Sequence, residues 1–102
     1  MEFIMILEIA TFDIKKESLE DFKAACEEAT KVISTSKGFV GIDFNQCLEE
    51  ASKFVALISW QRLEDHTIGF RQSELFVQWR DILSPYFNEA PVALHYESFP
   101  KK

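Results

Sequence analysis

A chain of 102 residues with 47% hydrophobic content holds one hydrophobic core and is too short for a second domain with a core of its own. Its formal net charge of -6, with no local basic cluster, repels a phosphate backbone and excludes DNA and RNA as partners. Two cysteines, Cys26 and Cys47, are too few for a disulfide scaffold and too far apart for a CxxC motif, so both read as buried or half-buried thiols.

The opening MEFIMILEIA lacks the basic start and small-residue cleavage site of a signal peptide, and Glu8 interrupts its apolar run well short of a membrane span. It reads as the first strand of a cytoplasmic protein with no membrane partner. From Phe3 to Phe12 the residues are apolar on both alternating faces, so both faces of the sheet need cover. A helix is expected from Ser18, where Ser18 and Asp21 resemble a capping box, to a stop before Gly38. Leu19, Phe22, Cys26, Ala29 and Ile33 recur at helical spacing along it, with charged residues opposite.

Gly38 and Gly41 bracket the start of a second strand, in which Val40, Ile42 and Phe44 alternate with Asp43 and Asn45. A polar turn, Glu49 to Ser52, leads into KFVALISW, and so short a connection predicts an antiparallel hairpin. LEDHTIGFRQ reads as a turn of helix and a bend. After it, Ser73 can cap a helix carrying Phe76, Trp79, Leu83 and Tyr86, with Pro85 at its end. VALHYESF, between Pro91 and Pro100, is the last strand.

The order βαββαβ closes into a ferredoxin-like α+β fold, a four-stranded antiparallel sheet with both helices on one face. The whole chain, residues 1–102, is read as this one domain. Alternation leaves an apolar sheet face without helices, so a second copy packed sheet to sheet, related by a twofold axis, is the expected partner.

The run ISWQRLEDHTIGFRQSELFVQWRDILSPYF and the closing VALHYESF resemble the antibiotic biosynthesis monooxygenase family of dimeric α+β barrels. The most specific features are the Trp ending the third strand, the short acidic turn with His, GFRxS, the W-R pair on the second helix, and HYE on the last strand. The resemblance implies a homodimer with packed sheets and a pocket in each subunit between sheet and helices. It also implies monooxygenase chemistry without a bound cofactor on a small aromatic or quinol-type molecule. The alternative is a non-catalytic dimer that binds a small hydrophobic ligand or regulates a partner. In the family's phenol-oxidising members a Trp matching Trp60 and an Arg on the second helix matching Arg80 lie near the substrate. Here Ala56 replaces the Asn of those members, and His66 stands near the position of their Tyr. Haem-degrading members carry an axial His where this chain has Phe70, and Phe cannot ligate iron, which makes haem degradation a distant third reading.

Trp60 shares a face with Phe54, Ala56 and Ile58, and either lines an aromatic pocket or closes the core. His66 is the side chain best suited to moving a proton near neutral pH, with Asp65 or Glu64 able to orient it, unless it is a helix-start histidine in solvent. His66 and Arg80 are thus the catalytic candidates, and Trp60, Phe70, Arg71, Trp79 and His95 the substrate-binding ones. Arg71 and Arg80 either hold an anionic oxygen or pair with nearby carboxylates such as Glu74 or Asp81. His95 lies on one strand face with Glu97, where the two can pair in the pocket or at the dimer seam. No His, Cys or carboxylate set has the spacing of a closed metal site.

Overall fold

The computed structural model describes residues 5–100; the expected strand residues Phe3 and Ile4 lie outside them. The elements follow as β1 (Ile6–Asp13), α1 (Leu19–Ile33), β2 (Phe39–Gln46), β3 (Lys53–Trp60), α2 (Glu74–Leu83) and β4 (Val92–Glu97). A short helical segment at Asp65–Phe70 precedes α2. The sheet is antiparallel throughout, in the order β2-β3-β1-β4, which is the expected ferredoxin-like α+β topology.

Register assigns the two faces. Glu8 lies opposite Ile58 on β3 and His95 on β4, Ala10 opposite Ala56 and Ala93, and Phe12 opposite Phe54. These residues turn toward the helices, where Phe12, Phe54, Ala56, Ile58 and Trp60 join Phe22, Cys26, Ala29 and Ile33 of α1 and Trp79 and Leu83 of α2 in the core. Its centre is aromatic: Phe22, with no exposure, meets Phe54 edge-on at 4.9 Å between ring centroids. Such tilted contacts add to the area that each ring removes from water.

The other face carries Leu7, Ile9, Val55, Leu57, Val92, Leu94 and Tyr96, and among the described residues no helix covers it. On the edge strand β4, Leu94 and Tyr96 stay 56% and 46% exposed.

Three local expectations are corrected. Val40 does not share the inward face of Ile42 and Phe44: a register shift between Phe39 and Gly41 turns Phe39 in against Trp60 and leaves Val40 exposed. Ser18 precedes α1, but its side chain makes no capping bond, because a 3₁₀ turn at Lys16–Ser18 leads into the helix instead. α2 stops at Leu83, and Tyr86 belongs to the 3₁₀ turn that follows, where Pro85 supplies no N–H to continue the helix.

Candidate functional site

Between the last turns of β3 and the start of α2 the chain takes an unusual path. The N–H of Arg71 donates to the carbonyl of His66 at 3.0 Å, five residues back, so Asp65–Phe70 forms a π-helical turn wider than an α-helix. Such turns commonly mark functional positions, since they redirect side chains that a regular helix would place elsewhere. Its start is braced. Gly38 adopts φ +82°, a left-handed conformation suited to glycine, and a Cβ there would lie 2.0 Å from Asp65 Oδ2. Asp65 is itself buried and pairs with Arg62 at 3.2 Å. Asp65 therefore anchors the turn and does not orient His66, the role expected for it.

The turn sends His66 inward, to 3% exposure, which disposes of the solvent-exposed reading. The imidazole stacks against Trp60, at 5.3 Å and 25°, and Phe70, at 6.2 Å and 28°, and those two rings also meet each other at 5.7 Å. Its polar partners come from the sheet. His66 Nε2 is 3.4 Å from Glu8 Oε1, and His66 Nδ1 is 2.7 Å from His95 Nε2. Trp60 Nε1–H donates to the same Glu8 oxygen at 2.9 Å. His95 therefore pairs with His66 across the site, not with Glu97 along its own strand. Trp60, with no exposure, closes the core and donates that hydrogen bond from within it; it does not line the neighbouring cavity, so the pocket-lining reading of it is corrected.

Glu8 was not among the candidates. It is 4% exposed, on the helix-facing side of a strand whose other inward residues are apolar. A single carboxylate at an inward strand position was the signal available, because an ionisable group is placed among hydrocarbon only with partners or a use.

Beneath the helices a cavity of about 330 Å³ opens onto this cluster. Glu8 and His66 line one part of it, Phe70, Phe76 and Trp79 form aromatic wall, and Arg71 and Arg80 reach it from α2 and the turn before it. His95 touches it only through His66. The volume suits a small aromatic molecule. Three other concavities, about 310 Å³ beside Cys26, about 550 Å³ across the end of the sheet and about 550 Å³ beside Leu19 and Glu50, hold no buried carboxylate or imidazole. Both arginines lie over Phe76, with their guanidinium carbons 5.2 and 5.9 Å from its ring centroid. Arg80 also approaches Asp81, at 3.8 Å, a contact too exposed to neutralise it.

Burial sets the proton chemistry. It pushes the Glu8 carboxyl above its usual range, against the Trp60 hydrogen bond and the Arg71 charge, which both pull it down. It lowers His66 to about 4, with His95 and Arg71 acting in the same direction, so the imidazole is neutral near pH 7 and its contact with Glu8 is not an ion pair. His95 is lowered too, by burial and then by Arg71. Among the described residues no group of three or more His, Cys, Asp or Glu has the arrangement of a metal site. Glu8 and His95 face each other across β1 and β4, and His66 contacts one with each ring nitrogen.

The fold defines a ferredoxin-like α+β protein with a cavity between sheet and helices. The antibiotic biosynthesis monooxygenase family profile matches residues 5–82, and the chain belongs to that family. It is 33% identical over 93 residues to the uncharacterized protein YczJ of Bacillus subtilis (strain 168), covering 91% of this chain and 98% of that one. A solved structure of a proposed antibiotic biosynthesis monooxygenase from Bordetella bronchiseptica superposes with a TM-score of 0.90 at 26% identity, over 93% of this chain and 97% of that one. SnoaB of Streptomyces nogalater, described as a cofactor-independent oxygenase, shares the fold at 12% identity, with a TM-score of 0.76 over 95% of this chain and 98% of its own. Among the described residues no helix is long and apolar enough to cross a membrane.

Proposed function

We propose that this chain is a cofactor-independent monooxygenase that oxidises a small aromatic or quinol-type molecule, working as a single-domain homodimer in the cytoplasm. The observation that carries the reading is the aromatic cavity with two guanidinium groups and a buried Glu–His pair on its walls. Arg71 and Arg80 favour the ionised form of a phenol or enol, and the Glu8 carboxylate offers an acceptor for its proton. The anion's electron-rich carbon then reacts with O2. For an anthrone the balance is CH2 + O2 → C=O + H2O, with one oxygen atom retained and the other leaving as water. The description of SnoaB supports this chemistry, and the uncovered sheet face supports the dimer. Free Cys26 and Cys47 suit a reducing compartment.

Oxygen uptake with anthrones, quinols and catechols tests the proposal. Uptake is expected from the wild type, with one O2 consumed per anthrone. Uptake no faster than that of the Trp60→Ala/His66→Ala double variant across the whole panel refutes it. A second reading, a dimer that binds a small ligand without turnover, draws support from the weak basicity of His66. Native mass spectrometry showing a retained ligand, together with no uptake, favours that reading.

A further inference from the structure

Binding an anion in the cavity requires the arginines, but not a chain of three further ionisable side chains. The direction of that chain is fixed at one end. An indole nitrogen only donates, so Glu8 Oε1 accepts from Trp60 Nε1 at 2.9 Å. The same oxygen faces His66 Nε2 at 3.4 Å, and a neutral imidazole meets a carboxylate oxygen favourably only through the nitrogen that bears hydrogen. His66 Nδ1 is then bare and can only accept. His95 Nε2, 2.7 Å away, must donate, and His95 Nδ1 is left with a free lone pair on the exposed edge strand.

Access divides the three residues. Glu8 and His66 line the cavity and are nearly inaccessible to solvent, whereas His95 is exposed and lies outside the lining. A ligand filling the cavity would cut Glu8 off from water except through the two rings. We propose that Glu8 is the acid–base group of the cavity and that His66 and His95 form the path by which it exchanges its proton with solvent while a ligand is bound. Its use in turnover rests on the oxygenase reading; the path itself does not.

The transfer balances without rotation of either ring. A proton from water adds to His95 Nδ1. His95 passes its Nε2 hydrogen to His66 Nδ1, and His66 passes its Nε2 hydrogen to the Glu8 carboxylate. Glu8 ends protonated, and both histidines end neutral with the hydrogen on Nδ1; from that state the reverse sequence returns the proton to solvent, whereas a proton that Glu8 takes from a ligand while the rings are Nε2–H leaves only after both rings have reset to Nδ1–H. The 3.4 Å step is longer than a formed hydrogen bond and must shorten by a few tenths of an ångström during transfer, as contacts of unliganded sites commonly do. Arg71 is the charge that bears on all three groups, Arg80 faces the cavity from α2, and Glu97 neighbours His95 along its strand face. Burial raises Glu8 and lowers both histidines, which moves the three groups toward the neutral rings that a relay of this kind needs.

Nitrogen-15 NMR of histidine-labelled full-length protein tests the path without substrate. At alkaline pH both His66 and His95 are expected as the Nε2–H tautomer, and both should switch to Nδ1–H together as Glu8 protonates. In Glu8→Gln, whose amide oxygen can still accept from Trp60 and His66, both should stay Nε2–H over that range. Independent switching, an alkaline Nδ1–H form of His66, or a switch that persists in Glu8→Gln overturns the proposal. Should Glu8→Gln not fold, the joint switch in the wild type decides. In oxygen uptake with 1,8-dihydroxyanthrone, His95→Ala should reduce kcat at least ten-fold with KM unchanged and recover with added imidazole, because His95 is exposed. A wild type that oxidises no anthrone refutes the oxygenase reading alone; active His95→Ala with unchanged kcat refutes the path.

Discussion

Acid should weaken this fold through His66, and the effect can be isolated. The imidazole is lowered from its usual 6.5 to about 4 in the folded chain, first by burial and then by His95 and Arg71. Between those two values the unfolded chain binds a proton that the folded chain refuses, so the stability due to neutral His66 is complete above pH 6.5 and is lost as pH falls toward 4. At about 1.4 kcal/mol per pK unit, the loss between pH 7 and pH 5 is about 2 kcal/mol. Glu8 works the other way. With its pKa raised in the folded state, it binds a proton more readily there, and so recovers stability as pH falls through its folded value toward its unfolded one. Comparing wild type with His66→Gln removes most of the Glu8 contribution, which both chains share. Urea unfolding at the two pH values should show the wild type losing about 2 kcal/mol more than the variant. Parallel losses in the two chains would refute the assignment of a neutral, buried His66.

Further outcomes follow from single positions. Gly38→Ala combines a left-handed backbone with a Cβ driven into Asp65, and should lower the unfolding free energy by about 2 kcal/mol or more, whereas Gly69→Ala, whose nearest contact would be 3.7 Å away, should leave the thermal midpoint nearly unchanged. Leu94→Asp places a charge on the uncovered sheet face; light scattering at micromolar concentration should report dimers for the wild type and monomers for the variant, and a monomeric wild type would contradict the proposed assembly. Thiol labelling of the native chain should modify Cys47 and spare Cys26, which is buried with its thiol pushed up to about 12, a thiolate fraction roughly a thousand-fold below that of a thiol at 9. Labelling of Cys26 at the rate of Cys47 would show that the α1 face opens.

How much of this was legible in the sequence depended on whether a residue acts through its own element or through another. β3 was read to the residue, as KFVALISW, because alternation and a polar turn are local signals. The inward stripe of α1 was equally local. Val40 was misplaced because a register shift is invisible to alternation, which assumes an unbroken pleat. His66, Arg71, Arg80, Phe70 and Trp79 were singled out separately, and all five line one cavity, with Trp60 and His95 in contact with His66. In the sequence, the carboxylates beside His66 are its neighbours Asp65 and Glu64. Its partners lie instead on β1 and β4, strands that the topology makes adjacent although 58 and 29 residues separate them from His66.

That displacement explains why Glu8 carries more information than its ordinary appearance suggests. At the inward positions of β1 the fold's own requirement is met by Ala10 and Phe12, and an apolar residue at position 8 would serve it as well. Replacing a buried polar network with hydrocarbon of similar volume is often neutral or stabilising, whereas removing one partner strands the others. The Glu8 carboxylate thus weakens the core it sits in, and Trp60, His66 and Arg71 reduce that cost without abolishing its cause. Core packing does not account for a carboxylate whose pKa is raised, whose one mapped acceptor oxygen is shared by two ring nitrogens, and whose other surroundings include a cavity. The proton transfer proposed at that cavity would, because a group poised to change its charge must be held where neither state is fully stabilised.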